Sequence, residues 1–561
     1  MIKKWWMESV GYQIYPKSFY DGNNDGHGDL LGIYKKLPYL KSLGVDLIWI
    51  CPFYVSPMDD NGYDVADFYD VAPSFGTLDD FKKLLNKAKE LGIRIILDLV
   101  LNHTSDEHPW FMESRKSKDN PYRDYYIWQK GKSKGLPPTN WGSFFGGSAW
   151  VYDEATDEYY MKIFSNKMPD LNWKNEKVQD AMIDVAKYWL DLGVDGFRID
   201  AVAHLARAPF VDAEPKDKPV VLDWHKFSNL PDVHIYLKKM YQKVFKPYDA
   251  LTIGEVGGEA NIESAYQYSA FDSGELNMVF NFDHNWCNNV FDIDNLENLK
   301  TDVKRLKEVF NKWQVAFKQR GWLPLNWLNH DQPRLISHYG DQMYPLESGK
   351  MLATALYLMR GTPFVYQGEE IGMTNYPFQS IEDFNDVSSI NRYYDLKREN
   401  KYTEAEILFK LSINSRDNPR SAIQWDDTKY AGFSKVKPVV NVNPNYIEIN
   451  VKNNLENKGS LWYHYQHIFK LRKDPKYKEL FVYGTYEQVP TSDELYVYIR
   501  ENSAYKAYVI NSFSRENVTY KLKINFDSVL LNNYENILIN DDIITLAPYQ
   551  AVVLVVKKEQ L

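Results

Sequence analysis

Eight short apolar runs, each followed by a polar or charged residue where a strand would end, limit what this chain can fold into. They are GYQIYP (11–16), VDLIWICP (45–52), IRIILDLVLNH (93–103), VDGFRIDA (194–201), ALTIGE (250–255), LNMVFNF (276–282), LPLNWLNH (323–330) and TPFVYQG (362–368). Between them lie amphipathic stretches such as LDDFKKLLNKAKELG (78–92) and VQDAMIDVAKYWLDLG (178–193), with apolar residues at helical spacing and a terminal Gly. Runs that are apolar on both faces and alternate with helices predict a parallel sheet covered by helices. Eight of them predict an α/β protein of the (β/α)8 barrel type, which carries its chemistry at the strand C-termini.

Two stretches break the alternation. Residues 104–174, after the third run, are rich in Trp, Tyr, Asn, Gly and Pro and predict an irregular subdomain rising over the barrel mouth. From residue 480 short alternating runs (ELYVYIRE, AYKAYVIN, VTYKLKI, AVVLVVKK) predict a terminal all-β domain. The barrel itself is then expected in two parts, 1–103 and 175–479. The formal charge of −10 argues against a nucleic-acid groove or an acidic membrane surface. No run approaches the ~20 apolar residues of a membrane span, and the first residues have no apolar run of signal-peptide length, so a cytoplasmic protein is expected. Cys51 and Cys287 form neither a disulfide framework nor a metal-type spacing. No signal of oligomeric state is visible.

The strand ends carry the candidate chemistry. In VDGFRIDA, Arg198 and Asp200 are two apart and share one face of a strand. Charges inside an apolar barrel are costly unless paired or needed. The third run ends in Asp98, Asn102 and His103, the fifth in Glu255, the seventh in Asn329, His330 and Asp331. Asp200, Glu255 and Asp331, three carboxylates from three strands, thus converge with two histidines and an arginine. Two close carboxylates in an apolar pocket suit glycoside hydrolysis, one attacking the anomeric carbon and the other protonating the leaving oxygen. Arg198 beside Asp200 favours an ionised nucleophile. Glu255, flanked by LTIG and VGG with no adjacent cation, is expected to be raised by burial and held protonated as the acid. With 42 Tyr and 16 Trp the chain also has aromatics to cover the flat faces of sugars.

The motifs DLVLNH (98–103), MPDLN (168–172), GFRIDAVAH (196–204), GEV (254–256), LNHDQPR (328–334) and GTPFVYQGEEIGM (361–373) resemble, in order and spacing, those of the α-amylase superfamily, glycoside hydrolase family 13. WWMESVGYQIYPKSFYD at the start and SRDNPRSAIQWD (415–426) fit its α-glucosidase and oligo-1,6-glucosidase group. The resemblance implies Asp200 as nucleophile, Glu255 as acid/base and Asp331 as the group holding the sugar's 2- and 3-hydroxyls. It further implies that His103 and His330 bind the glucose at the cleavage point and that Tyr63 stacks on its ring. Asp64 and Arg416 would pair around the outermost hydroxyl, and Phe164 would form an aromatic wall. In this group Val after the nucleophile accompanies α-1,6 activity and Ala or Thr α-1,4 activity. Ala201, together with His204, therefore implies α-1,4, while Met168 stands where the group usually has Gln.

DGNNDGHGD (21–29) offers Asp21, Asn23 and Asp25, a turn Gly26 and Asp29, an alternation of oxygen ligands like the start of a Ca²⁺ loop. Gly32 replaces the Glu an EF-hand would need. The resemblance implies one structural Ca²⁺ or Mg²⁺ here, with the carbonyl of His27 as a further ligand. The expected substrate is a small oligosaccharide cut by an exo-acting, retaining α-glucosidase. The alternatives are an oligo-1,6-glucosidase, a trehalose-6-phosphate hydrolase, for which GKSKG (131–135) offers lysines, and a sucrose-active enzyme. A non-catalytic sugar-binding homologue is disfavoured because all three carboxylates are present.

Overall fold

Each of the eight runs forms a strand in the computed structural model, which describes residues 3–257, 261–290, 292, 294–296, 299–522 and 525–558. The strands are β1 (Gly11–Ile14), β2 (Leu47–Ile50), β3 (Arg94–Val100), β4 (Gly196–Asp200), β5 (Leu251–Glu255), β6 (Met278–Phe280), β7 (Pro324–Leu325) and β8 (Thr362–Tyr366). Their pairing is parallel and the sheet order is β6-β5-β4-β3-β2-β1-β8-β7, with β6 and β7 coming together to close a barrel. β1, β2, β4, β7 and β8 are buried along their whole length, as strands enclosed by helices must be. β7 is shorter than its run because the chain leaves the sheet early, carrying Asn329–Asp331 across the mouth.

Local chemistry fixes the helices between strands. α1 (Leu30–Leu43) starts on Asp29, whose carboxylate accepts the Gly32 amide, and ends on Gly44 in the left-handed region at φ +105°. α2 (Leu78–Glu90) has a capping box between Thr77 and Asp80, with acids in its first turn and lysines in its last. α3 (Glu176–Leu192) is capped by Asn175 and stopped by Gly193. Gly196 opens β4 at φ +149°, and a Cβ there would stand 1.9 Å from the Leu251 carbonyl oxygen. Only glycine lets β4 approach β5 this closely, and that approach brings the ends of the two strands together.

Residues 104–174 contain a three-stranded antiparallel sheet (Trp128–Gln129, Trp150–Asp153 and Glu158–Met161) around Trp141, Trp150, Met161 and Ile163. Its core also takes Ala213 and Phe227 from the segment after β4, and Trp141 donates to the Val211 carbonyl at 2.8 Å. The packing of this unit therefore does not stop at residue 174. So small a body buries its tryptophans only by recruiting a second piece of chain. After β8 the chain forms a further hairpin, α4 (Val387–Glu399) and α5 (Glu404–Asn414), with its own core of Phe378, Phe384, Tyr393, Leu396, Ile407 and Leu411. The sequence reading placed no element there, although Thr403 and Glu406 form a capping box that marks the start of α5. The barrel is then covered by α6 (Leu461–Lys473).

Residues 485–557 form a five-stranded and a three-stranded antiparallel sheet packed through Leu495, Val497, Ile510, Val552 and Leu554 against Ile544 and Leu546. Buried Arg500 joins this domain to the barrel by donating to the carbonyls of Leu358 (2.5 Å), Phe481 (2.9 Å) and Gly484 (2.8 Å). Among the described residues no helix is long and apolar enough to cross a membrane.

Candidate active site

The register of the central strands brings the polar groups together. Asp98 of β3 is paired with Arg198 of β4, and Val100 with Asp200. Ile253 of β5 is paired with Arg198, which leaves Glu255 two residues farther toward the barrel mouth. The Arg198 guanidinium, 1% exposed, spans all three strands. Its Nη1 donates to Asp98 Oδ1 at 2.5 Å and Asp200 Oδ1 at 2.7 Å, and its Nη2 donates to Glu255 Oε2 at 2.6 Å. The expectation that Glu255 has no cationic neighbour is therefore wrong. Sequence adjacency could not reveal a cation arriving from the next strand.

Of these groups Asp200 and Glu255 line a cavity of about 740 Å³, together with Asp60, Tyr63, His103, Phe144, Phe164, Met168, Ala201, His204, Trp224, Trp286, Asn329, His330, Asp331 and Arg416. Asp331 Oδ1 accepts from Arg420 Nη2 at 2.7 Å and lies 3.4 Å from Arg416 Nη1. Gln13 donates its amide to His330 Nδ1 at 2.9 Å, so the proton sits on Nε2, 3.4 Å from Asp331 Oδ2. The Tyr63 ring stacks on His330 with centroids 5.1 Å apart. Phe164 packs edge-on against His103 at 5.3 Å, and Phe144 packs against His204 at 5.1 Å. His204 is oriented by Ser228 and the Phe227 carbonyl. The buried Nε2 of His103 has no hydrogen-bond partner within the chain, an unfilled position of the sort a ligand hydroxyl satisfies. Ala201 adopts a left-handed conformation at φ +46°, which turns its amide onto Glu255 Oε2 at 3.2 Å.

One expected pair is corrected. Asp64 does not meet Arg416. It is fully buried behind the pocket, where its carboxylate accepts the amides of Asp59 (2.8 Å) and Asp60 (3.0 Å) and pins the turn. The turn instead presents Asp60, whose Oδ1 is 2.9 Å from Arg416 Nη2. Asp386, the N-cap of α4, accepts from Arg416 Nε at 2.8 Å. Asp60 lies close to Tyr63 and Asp64, and DDNGYD offers three carboxylates among which spacing alone does not choose, whereas Asp386 lies in a stretch that carries no motif. Arg420, four residues beyond Arg416 in SRDNPRSA, was likewise missed.

Six carboxylates (Asp60, Asp98, Asp200, Glu255, Asp331, Asp386) thus share three guanidiniums. Burial with this surplus of acid sets the protonation order. Desolvation pushes Glu255 up to about 7 despite Arg198, with Asp200 and Asp331 adding to the rise. Desolvation likewise outweighs Arg198 at Asp200 and raises it to about 6, contrary to the expectation that the arginine dominates. Asp331 goes the other way. Although burial opposes it, His330, Arg416 and Arg420 together hold it well below the usual carboxylate range.

The loop Asp21–Asp29 joins β1 to α1. Buried Asp21 accepts the amides of Asn24 (2.6 Å) and Gly26 (2.8 Å) and the Ser434 hydroxyl (2.5 Å). Asp25 accepts the His27 amide at 2.8 Å and the Asn23 side chain at 3.0 Å, and Asp29 accepts the amides of Gly22 and Gly32. Among the described residues no three His, Cys, Asp or Glu side chains stand as a metal cluster. The carboxylates serve the loop's own amides.

Comparison with known proteins agrees with this geometry. The family profile described as "Alpha amylase, catalytic domain" matches residues 13–483. An oligo-1,6-glucosidase of Bacillus cereus is 46% identical over 571 residues, covering 99% of this chain and 100% of its own length. A crystal structure of Bacillus licheniformis trehalose-6-phosphate hydrolase superposes with a TM-score of 0.91 at 40% identity, covering 99% of this chain and 100% of that one. A mutant isomaltulose synthase of Erwinia rhapontici NX5, solved with sucrose, superposes with a TM-score of 0.92 at 37% identity and 99% coverage of each chain.

The correction at Asp64 separates two roles that a pair of variants distinguishes. Asp64→Asn should destabilise the protein by ~1–3 kcal/mol, because one buried amide loses its acceptor, while KM stays within about twofold of the parent. Asp60→Asn should leave the thermal midpoint nearly unchanged and raise KM for a small α-glucoside roughly tenfold, by freeing Arg416. Thermal melts and steady-state kinetics of both check this, and the reverse pattern would restore Asp64 to the pocket.

Proposed function

Because the chain belongs to the α-amylase family of glycoside hydrolases, we propose that it is an exo-acting α-glucosidase. It releases single glucose units from the non-reducing ends of short α-glucosides, with retention of configuration. The observation that carries this reading is the placement of Asp200 and Glu255 on the two terminal nitrogens of one guanidinium. Retention needs two carboxylates only ~5–5.5 Å apart, too close to hold a water between them and the sugar. In this reading the Asp200 carboxylate attacks C1 while the bond from C1 to the glycosidic oxygen breaks. Glu255 gives its proton to that oxygen. It then takes a proton from water, which displaces Asp200 and frees glucose. Asp331, kept ionised by its arginines, accepts hydrogen bonds from the ring hydroxyls as positive charge grows at C1. His103 and His330, both held neutral by burial, donate or accept at hydroxyls without adding charge. The tie from Asp60 to Arg416 joins the loop after β2 to the segment after α5 and supports removal of terminal units over internal cutting.

We favour α-1,4 linkages. Ala201 lines the cavity next to Asp200, and its lack of the two further methyls of Val leaves room for the second ring, a difference worth ~1–3 kcal/mol. The second reading, α-1,6, is supported by the name of the Bacillus cereus relative, oligo-1,6-glucosidase. A phosphorylated substrate has less support, because the one cation among the described lining residues is Arg416, already engaged by Asp60 and Asp386. A structural Ca²⁺ or Mg²⁺ in the β1–α1 loop is proposed on the alternation of Asp21, Asn23, Asp25, the His27 carbonyl and Asp29. The ion would displace some loop-amide contacts and stiffen the turn, with no part in the chemistry.

Three measurements test these readings. Product analysis on maltose, isomaltose, sucrose, trehalose and trehalose 6-phosphate should give α-glucose first, and kcat/KM for maltose should exceed that for isomaltose by about 5–100-fold. Initial release of β-glucose would overturn retention, and an isomaltose preference would overturn the linkage. The pH profile of kcat/KM should be a narrow bell. Asp200 must be ionised, so activity falls below about 6. Glu255 must be protonated, so activity falls above about 7. A flat profile from 5 to 9 would sink the assignment of the two roles. Chelation should lower the thermal midpoint by several degrees and added Ca²⁺ should restore it; an unchanged midpoint would remove the metal.

A further inference from the structure

Lys162 carries a charge that the chemistry above does not use. It follows the strand Glu158–Met161 and is 3% exposed. Its ammonium donates to the Ser143 hydroxyl at 2.9 Å, the Phe164 carbonyl at 3.3 Å and the Gly146 carbonyl at 3.4 Å, all neutral groups. The acid whose charge reaches it is Asp170, and that carboxylate is already held by Arg207 at 2.7 Å and Asn102 at 3.0 Å. Burial pushes the ammonium down to about 8. A buried cation without its own counter-ion is expensive. A core that only needed filling would be better served by an apolar side chain.

The three acceptors share one property. Ser143 and Gly146 bracket Phe144 and Phe145, and Phe164 is the residue beside which those two rings pack, at 5.4 Å and 5.6 Å between centroids. All three rings line the cavity. Apart from this lysine, the loop is held by the Ser143 hydroxyl on the Gly146 carbonyl at 2.8 Å, by the Asn391 amide on the Phe145 carbonyl at 3.2 Å and by Arg416 over the Phe145 ring. Gly146 and Gly147 both lie in the left-handed region, at φ +91° and +71°, with almost nothing around either position. The backbone tie nearest the rings is the Phe144 amide on the Ile163 carbonyl at 2.8 Å. The ammonium adds three charge-assisted bonds to this fastening, and these are stronger than neutral ones.

We propose that Lys162 is a positioning residue for the aromatic wall of the active-site cavity. By clamping Ser143, Gly146 and Phe164 to one point, it holds Phe144 and Phe145 against Phe164 and so sets how firmly a sugar is gripped before the bond is cut. This inference rests on the reading of the cavity as a glucosidase site. It acts on binding and leaves the Arg198 cluster untouched.

The test is steady-state kinetics of Lys162→Met in the full-length protein, with Ser143→Ala as a second variant that removes one acceptor of the ammonium together with the hydroxyl's own bonds to the Gly146 and Phe164 carbonyls. For Lys162→Met, KM for maltose should rise about tenfold while kcat stays within about twofold, the signature of lost binding that does not change on the way to the transition state. Ser143→Ala should shift KM in the same direction by about two- to threefold. In a Phe145→Ala background the effect of Lys162→Met on KM should shrink markedly, because contacts that act through one another do not add. Unchanged KM in both single variants, or full additivity with Phe145→Ala, overturns the inference. If Lys162→Met fails to fold, Ser143→Ala and its combination with Phe145→Ala decide the matter. A parent protein inactive on every α-glucoside would instead overturn the functional reading on which this one rests.

Discussion

One guanidinium holds the active end of this barrel together. Arg198 reaches Asp98, Asp200 and Glu255 from the strand between the two that bear Asp98 and Glu255, and among the described residues no other cation forms an ion pair with any of the three. Three buried carboxylates without it would each have to be neutral, because an unpaired charge in this setting costs several kcal/mol. With it, the cluster can hold about as much negative charge as one cation and the nearby amides support. Burial under that limit pushes both Asp200 and Glu255 upward. The arginine thus fixes position and also limits how much charge the cluster carries. Trp49 completes the arrangement by donating its indole N–H to Asp98 Oδ2 at 2.7 Å, the carboxylate oxygen that Arg198 leaves free.

The opposite wall solves the contrary problem. At Asp331 the balance is reversed, with Arg416, Arg420 and His330 all directed at one carboxylate and holding it ionised. Arg420 also donates to the His330 carbonyl at 3.1 Å, so the same side chain fixes the position of the histidine next to Asp331. Environments with too few and with ample cations stand within one cavity. A difference in local charge count, applied to chemically similar groups, therefore raises Asp200 and Glu255 together with burial and lowers Asp331 against it.

Much of this was legible in the sequence because it lies on regular elements. The eight strands follow from period and flanking residues, and a polar residue at a buried strand's C-terminal end is conspicuous. Asp200, Glu255, Asp331, His103 and His330 were visible for that reason, and the structure brings all five to one cavity. What escaped lay where position depends on tertiary contact. Asp64 and Asp60 belong to one turn of similar residues, and only the fold decides which one the turn buries under its amides. The contact from Arg198 to Glu255 crosses from one strand to the next. The hairpin α4–α5 has weak amphipathic patterning and a Tyr-, Asn- and Lys-rich sequence, so its caps were the only strong signal. Phe144 and Phe145 sit in an irregular loop, where no period marks which aromatic faces the cavity.

The shape of the cavity depends on pieces that are far apart in the chain and meet only above the barrel. The subdomain after β3 contributes Phe145, and the hairpin after β8 contributes Asn391, whose amide reaches the Phe145 carbonyl at 3.2 Å. Arg416, which follows that hairpin, lies over the Phe145 ring at 4.8 Å while binding Asp60 from the loop after β2. Three excursions from the barrel thus lock around one aromatic ring and one guanidinium. A stacked arginine of this sort keeps its planar donors available while losing solvent, which strengthens every contact it makes. The enclosed end of the cavity is consequently a product of contact order rather than of any local motif. The barrel supplies reactive groups that hold their positions through strand register, and the loops supply a boundary that exists only once the whole chain has folded. Divergence in linkage preference among proteins of this fold is most easily accommodated in that boundary, because its residues can change without disturbing the guanidinium beneath.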